Sequence, residues 1–234
     1  MAKPIFVTLT SPSAAGKSYL LNYIRNVAKL PCLTSTTTRA PRKGEVEGQD
    51  YYFITEQQSI EMEKANLFAE LAIYNGVRYG VTKQEFHHKL HEDAIVFLIV
   101  EPTGIDHYVK PALDVGAISY KAYIHTDPQV RLARFRKRAE ADMRQTILQL
   151  EIDAKSGRPS PPSSVLKEFN TSLNRLTTML TVEMQWGTAQ PWDRILMGDT
   201  PPEENLRIIL ADIDKIRAAE KEVNEWKASK TVEA

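Results

Sequence analysis

The stretch Leu9-Thr10-Ser11-Pro12-Ser13-Ala14-Ala15-Gly16-Lys17-Ser18-Tyr19-Leu20 constrains the fold more than any other part of the chain. It follows an apolar run, Ile5-Phe6-Val7-Thr8-Leu9, that reads as a buried strand. It precedes Leu20, Leu21, Ile24 and Val27, which recur at the helical spacings of three and four. A strand, a small-residue loop ending in Gly-Lys-Ser, and a helix make a P-loop. Its chemistry is anion binding, because backbone N–H groups of the loop and of the helix start point at phosphate oxygens. Residues Ser13 to Tyr19 are therefore the expected ATP-binding set. Lys17 is expected to bridge the β- and γ-phosphates, and the Ser18 hydroxyl to ligate Mg²⁺. The common pattern has Gly where this chain has Ser11. Glycine there serves backbone freedom, so Ser fits if its φ is negative, and the turn geometry at Ser11 is the open point.

A length of 234 residues fits one α/β domain with an insertion, and 42 % hydrophobic residues support a real core. Thirty basic residues balance thirty acidic ones, so no global field draws the chain to nucleic acid or membrane. Cys32 is the only cysteine, which excludes a disulfide scaffold and fits a reducing, cytoplasmic setting. No apolar run approaches a membrane span, and the first strand starts close to Met1, so neither a signal peptide nor a transmembrane helix is expected.

Further along, the β-branched residues in the run from Cys32 suggest a short strand, Pro41 and Gly44 break the pattern, and Gln49 to Ile54 reads as another short strand. Thr55 with Gln58 and Thr82 with Glu85 read as capping boxes, opening helices to about Ala65 and about His91. Leu67 to Tyr74 and Val77 to Tyr79 flank the hairpin signal Asn75-Gly76. Ala94 to Val100 is continuously apolar, the mark of a central parallel strand covered on both faces. A helix to about Leu113 and a strand over Ile118–His125 follow, and Asp127-Pro128 opens a long basic helix. Ser156 to Pro162 is a loop. A helix from Ser163 or Ser164 to about Trp186 has Leu166, Leu173, Leu176, Leu180 and Met184 on its apolar side. Arg194–Met197 is the last strand. Thr200 is expected to cap the last helix, with Pro201 at its first position and Glu203 at its third; the helix runs from there to about Trp226, and residues 227–234 are expected to fray. Strands alternating with helices from a P-loop predict an α/β fold with a parallel sheet flanked by helices. The short strands between residues 33 and 80 predict a small inserted mixed-β lobe.

At this point the motifs resemble those of the guanylate kinase family. The loop Ser11 to Ser18 is similar to that family's Gly-Pro-Ser-Gly-x-Gly-Lys-Ser. The run Ser35-Thr36-Thr37-Thr38-Arg39-Ala40-Pro41-Arg42-Lys43-Gly44-Glu45 is similar to its Ser-x-Thr-Thr-Arg-x-Pro-Arg-x-Gly-Glu. Gly48-Gln49-Asp50-Tyr51-Tyr52-Phe53, Phe68-Ala69-Glu70 and Gly76-Val77-Arg78-Tyr79-Gly80 follow in order and spacing. The likeness is strong over residues 5–104, weaker over 118–138 and 172–212, and fails over about 139–170.

The resemblance implies transfer of the γ-phosphoryl group of ATP, with Mg²⁺, to GMP or dGMP. It implies a core P-loop domain (1–32, 94–130 and 188–234), an NMP-binding lobe (33–93) and a helical lid with an insertion (131–187). Ser35, Arg39, Arg42, Tyr51 and Tyr79 would bind the acceptor's phosphate. Glu70 would accept from guanine N1–H and N2–H, which two parallel carboxylate hydrogen bonds suit on chemical grounds alone. Arg39 also serves the transfer, with Arg136, Arg138 and Arg175 as the lid's catalytic arginines; Arg134 is a further candidate because the register is open. Taken alone, Tyr51 and Tyr79 read as packing residues and Glu70 as an exposed cross-strand charge. Their spacing from Arg39 and Arg42 turns them into site residues.

Two departures touch the acceptor or metal pocket. Val81 stands where the family has a Ser or Thr that reaches guanine O6. Ile99-Val100-Glu101 replaces Asp-x-Asp and keeps one acid, Glu101. Both leave room for a modified or deoxy acceptor, or for a base within DNA, although zero net charge disfavours a polynucleotide. A non-catalytic binding domain of the same fold is the other alternative, opposed by the retained Gly16, Lys17, Ser18, Arg39 and Arg42. Small-molecule nucleotides are the expected partners, and monomer and homodimer both stay open. His87, His88 and His91 read as a solvated helix face, Cys32 as a buried small residue, and Trp186 and Trp192 as core or lid packing.

Overall fold

The computed structural model describes residues 2–41, 44–74, 76–91, 94–157 and 163–232. Its first sheet is parallel throughout, with strands β1 (Ile5–Thr10), β6 (Ile95–Ile99), β7 (Ile118–His125) and β8 (Arg194–Met197) in the order β6-β1-β7-β8. All six residues of β1 are buried, as expected of a strand with neighbours on both sides and helices on both faces.

The two faces carry two cores, because alternate residues of one strand point to opposite sides. Ile5, Val7 and Leu9 pack with Leu20 and Ile24 of α1 (Lys17–Asn26) and with Leu206, Ile209 and Ile213 of α7 (Pro202–Val232). Phe6, Val96, Leu98 and Val100 pack against Phe86 and Leu90 from the region of α3 (Lys83–Lys89), and against Ile105, Tyr108 and Ala112 of α4 (Ile105–Asp114). Each buried Leu, Ile or Phe in these layers is worth about 2 kcal/mol of transfer free energy.

The run expected as a central strand is β6, and it stands at the end of the ladder. Its apolar character has a local cause. Phe97 N–H donates to Pro31 O (2.9 Å) and Leu33 N–H to Phe97 O (2.8 Å), so residues 31–33 act as a stub strand beyond it. That leaves Cys32 buried.

The second sheet has the order β3-β2-β5-β4, built from β2 (Thr36–Thr37), β3 (Tyr52–Phe53), β4 (Phe68–Tyr74) and β5 (Val77–Thr82). β4 and β5 form an antiparallel hairpin, β2 pairs antiparallel with β5, and β2 pairs parallel with β3. The expected strands around β2 and β3 shrink to two residues each. A bulge separates Phe68 from Glu70. Gly80 lies so close that a Cβ there would sit 2.6 Å from Glu70 O, so only glycine lets β5 pass the bulge.

Three helix expectations change. The Thr55 box around α2 (Glu56–Lys64) forms in both directions. The Thr82 box forms only one way: Glu85 turns instead to Thr34 N–H (2.9 Å) and Lys89 Nζ (2.6 Å). The helix expected to reach Trp186 divides into α6 (Ser163–Thr181) and a 3₁₀ segment (Glu183–Thr188). Its expected apolar side is exposed at Leu166, Leu173, Leu180 and Met184, while Met179 is buried. Residues 227–232 continue α7 rather than fraying. α5 (Pro128–Lys155) and α6 lie against each other as a long hairpin. The expected loop over residues 158–162 lies outside the described residues. Among the described residues, no helix is long and apolar enough to cross a membrane.

Candidate active site

The site is built at the ends of β1, β6, β7 and β8, where the first sheet meets α5 and the second sheet. Ser11 is fully buried, and the positive-φ residues of its loop are Ala14 (φ 62°) and Gly16 (φ 103°). The backbone freedom missing at Ser11 is therefore not needed there. The residue held in a left-handed conformation is Ala14, at the position of the resembled motif's second glycine.

Four consecutive carbonyls of the loop are pinned by protein donors. Ala15 N–H reaches Pro12 O (3.3 Å), Arg131 Nε reaches Ser13 O (3.1 Å), Arg134 Nη1 reaches Ala14 O (3.3 Å) and the Thr126 hydroxyl reaches Ala15 O (2.9 Å). Fixing the carbonyls in this way is how a loop of this kind turns its other amides into an anion cradle; the Ser13 and Ala15 amides are themselves engaged, with Glu183 and Pro12 O. Gly198, just past β8, presses on the loop so closely that a Cβ there would lie 2.0 Å from Ala15 O.

Beside the loop sits a buried ion pair that sequence reasoning missed. Glu183 accepts from Ser13 N–H (2.7 Å), from the Ser13 hydroxyl (2.7 Å) and from Arg131 Nη2 (3.0 Å). Both side chains are more than nine-tenths buried. Glu183 follows α6 and Arg131 lies in the first turn of α5, so the two feet of the helical hairpin are tied to Ser13. The available signal is weak: Arg131 is one of seven basic residues on α5, and nothing in the sequence marks Glu183.

Lys17 keeps some solvent contact, yet protein crowds it enough that desolvation lowers its pKa, against the opposing pull of Glu101 and Glu183. Glu101, past the end of β6, is raised by desolvation, and Lys17 pulls it back down. Ser18 is exposed in the first turn of α1. Among the described residues no group of three or more His, Cys, Asp or Glu could hold a metal. A hydroxyl at Ser18 with a carboxylate at Glu101 suits a hard cation that brings most of its oxygen ligands with a nucleotide.

The second sheet supplies a separate cluster. Arg39 forms a bidentate pair with Glu45 (3.0 and 2.9 Å) and lies over the rings of Tyr51 (5.3 Å) and Phe53 (5.9 Å). Tyr51 and Tyr79 meet edge to face at 6.1 Å. Ser35 is half-buried at the start of β2, and its carbonyl takes Tyr52 N–H. Arg42 lies outside the described residues. Val81 is fully buried in the core under α3 and α4.

Glu70 is buried, not an exposed cross-strand charge. Burial pushes its carboxyl up, and the Tyr108 hydroxyl and the His107 imidazole, both on α4, pull it back. Tyr108 is itself raised well above the ordinary phenol range by burial, with Glu70 and Tyr51 adding to the effect. Tyr108 and His107 were missed because α4 reads in sequence as a plain amphipathic helix.

Of the expected lid arginines, Arg136 pairs with Glu140 on its own helix (2.8 Å), Arg138 lies over the Phe135 ring (5.7 Å), and Arg175 is half-buried in α6. Among the described residues, the arginines that touch the loop are Arg131 and Arg134. Trp192 stacks on Tyr123 at 5.2 Å, as packing.

Known proteins resemble this chain in sequence and in fold. The family described as guanylate kinase matches residues 2–180. A guanylate kinase of Prochlorococcus marinus is 37 % identical over 99 residues, covering 42 % of this chain and 54 % of that protein. One of Rickettsia felis is 27 % identical over 189 residues, covering 78 % of this chain and 96 % of its own. The chain spans about half the length of the first curated relatives it matches, 54 % and 48 %. The crystal structure of guanylate kinase from Anaplasma phagocytophilum shares the fold at a TM-score of 0.56 and 17 % identity, over 93 % of this chain and 88 % of that one.

Proposed function

This chain belongs to the guanylate kinase family, and from that premise we propose that it transfers the γ-phosphoryl group of ATP to a purine nucleoside monophosphate, GMP or dGMP. The observation that carries the reading is the placement of two unlike sites. A phosphate loop with a desolvated Lys17 beside Glu101 stands at one end. A cluster of Arg39, Tyr51, Tyr79 and buried Glu70 stands at the other.

Loop amides and Lys17 hold the donor phosphates. Arg39, released from Glu45, takes the acceptor phosphate with Tyr51 and Tyr79, and Ser35 and Arg42 complete that set. Glu70 takes the base. Catalysis is positioning plus charge neutralisation, with no covalent intermediate. Mg²⁺ bound with ATP supplies further neutralisation, and Ser18 and Glu101 are the residues that would hold it. Arg134 already reaches the loop, and on this reading Arg136, Arg138 and Arg175 approach when the α5–α6 hairpin closes. The proposed division is a core of residues 1–32, 94–130 and 188–234, an acceptor lobe of 33–93 and a lid of 131–187, in a cytoplasmic protein.

The test is a coupled ATP-consumption assay against ribo- and deoxynucleoside monophosphates. Turnover confined to GMP and dGMP is the expected result. No turnover with any member, together with ATP binding by calorimetry, would shift the reading to a modified nucleotide or a base in DNA. No ATP binding would leave a binding domain.

A further inference from the structure

Resting on that guanine-nucleotide reading, we propose that His107 determines specificity in the acceptor site, donating a hydrogen bond to the 6-oxo group of a purine whose N1–H and 2-amino group are held by Glu70. The argument starts from a groove of about 450 Å³ between β4 and α4, with Glu70, Asp106, His107 and Lys110 among its walls. The Glu70 side chain is 3 % exposed. Its Oε2 is buried and accepts no hydrogen bond from the protein. A buried acceptor without a donor is costly, and a protein keeps one where a ligand supplies the donor.

The other oxygen, Oε1, has His107 Nδ1 at 3.7 Å. That is too long for a hydrogen bond, and it is a fitting separation for two neighbours facing one planar ligand. The guanine edge runs 6-oxo, N1–H, 2-amino: one acceptor, then two donors. The protein edge runs His107, Oε1, Oε2: one donor, then two acceptors. The two sequences are complementary in a single register.

Other groups near the carboxyl fill that place less well. Tyr108 is buried and faces Glu70 from within the second core. Val81 is fully buried and carries no donor. Asp106 is an acceptor. Lys110 lies one helical turn past His107, and an ammonium brought against Glu70 would neutralise the carboxylate that the base needs. An imidazole keeps an N–H in every protonation state, and the side chain of His107 is 63 % exposed, so it can turn toward the base. Adenine, with a lone pair at N1 and a donor at position 6, opposes the same edge at both places.

The test measures binding of three monophosphates to the full chain by calorimetry without ATP: GMP, IMP, and 6-thio-GMP, whose sulfur accepts poorly. His107→Ala is expected to weaken GMP and IMP about tenfold and to leave 6-thio-GMP nearly unchanged, erasing the preference for oxygen at position 6. His107→Gln, which restores an N–H, is expected to regain most of it. Equal weakening of all three ligands, or no change for GMP, overturns the proposal and leaves the kinase reading intact. Loss of the oxygen preference in Lys110→Ala instead of His107→Ala also overturns it. Wild-type protein that binds none of the three overturns the guanine reading itself, and this inference with it.

Discussion

The loop proposed to hold the donor and the lobe proposed to hold the acceptor differ in what holds their polar groups. In the donor loop, four successive carbonyls are fixed by protein donors, and Ser13 is clamped by the Arg131–Glu183 pair. In the acceptor lobe the ligand-facing groups are engaged with substitutes or left unpaired. Arg39 is held by Glu45, and Glu70 keeps an oxygen with no donor. The donor end is thus organised in advance, which suits electrostatic catalysis. The other end leaves a buried oxygen of Glu70 without a donor, so on the proposed reading acceptor binding there would remove a destabilising arrangement and gain selectivity.

The sharpest way to break this contrast is Arg131→Ala. It strands Glu183 in a site more than nine-tenths buried, and a loss of about 3–5 kcal/mol in urea unfolding is expected. Replacing both partners, as Arg131→Met with Glu183→Leu, should recover most of that stability while leaving Ser13 without its clamp. If single and double variants lose equally, the pair is not what locks the loop.

Next comes Lys17→Ala. Losing the loop's own lysine should cost about 3–4 kcal/mol of transition-state stabilisation, roughly 10²–10³-fold in kcat. Because desolvation already disfavours the ammonium, the variant should unfold no more easily than wild type. Wild-type turnover in this variant would remove the donor site from the comparison.

The same contrast explains what could be read from sequence. β1, α1, β7 and β8 were legible to within a residue or so, because their apolar periodicity and end signals are local. The donor loop was legible for the same reason, although the strained position proved to be Ala14 and not Ser11. The residues proposed for the acceptor are linked in sequence only by motif spacing, since Arg39, Tyr51, Glu70 and Tyr79 come from separate strands and loops. Tyr108, His107, Arg131 and Glu183 were not legible. Each acts through a partner far away in the chain, such as Ser13 with Glu183, and helix patterning carries no record of such a contact. The α6 boundary failed likewise: its leucines keep helical spacing whether they face a core or solvent.

Glu70→Gln tests the acceptor side and carries a smaller effect. The amide keeps one acceptor and loses the charge. The KM for the acceptor should therefore rise about 10–100-fold, with the KM for ATP nearly unchanged. Stability should move the other way. Burial raises the Glu70 pKa in the folded protein, so the folded state holds the proton more tightly than the unfolded one. Wild-type stability then falls as pH rises from the ordinary carboxylate pKa through the folded value, and the deficit persists at neutral pH. Glu70→Gln should melt above wild type at pH 7, with the gap closing as the pH drops below the carboxylate range. A gap that widens on acidification would mean that the empty acceptor site is not strained in this way.

The smallest effect is expected at Ala14, where the donor loop departs from its own order. A φ of 62° places a Cβ-bearing residue in the left-handed region, at about 1–2 kcal/mol. Glycine removes that strain but gives the unfolded chain more freedom, so Ala14→Gly should raise stability by about 1 kcal/mol or less, read from the urea midpoint at constant slope. The carbonyl of residue 14 still meets Arg134 in the variant, so ATP affinity should hold. If the variant loses both stability and ATP affinity, alanine's stiffness is part of what keeps the cradle formed. The donor end would then owe its order to the loop's own backbone as well as to the side chains that surround it.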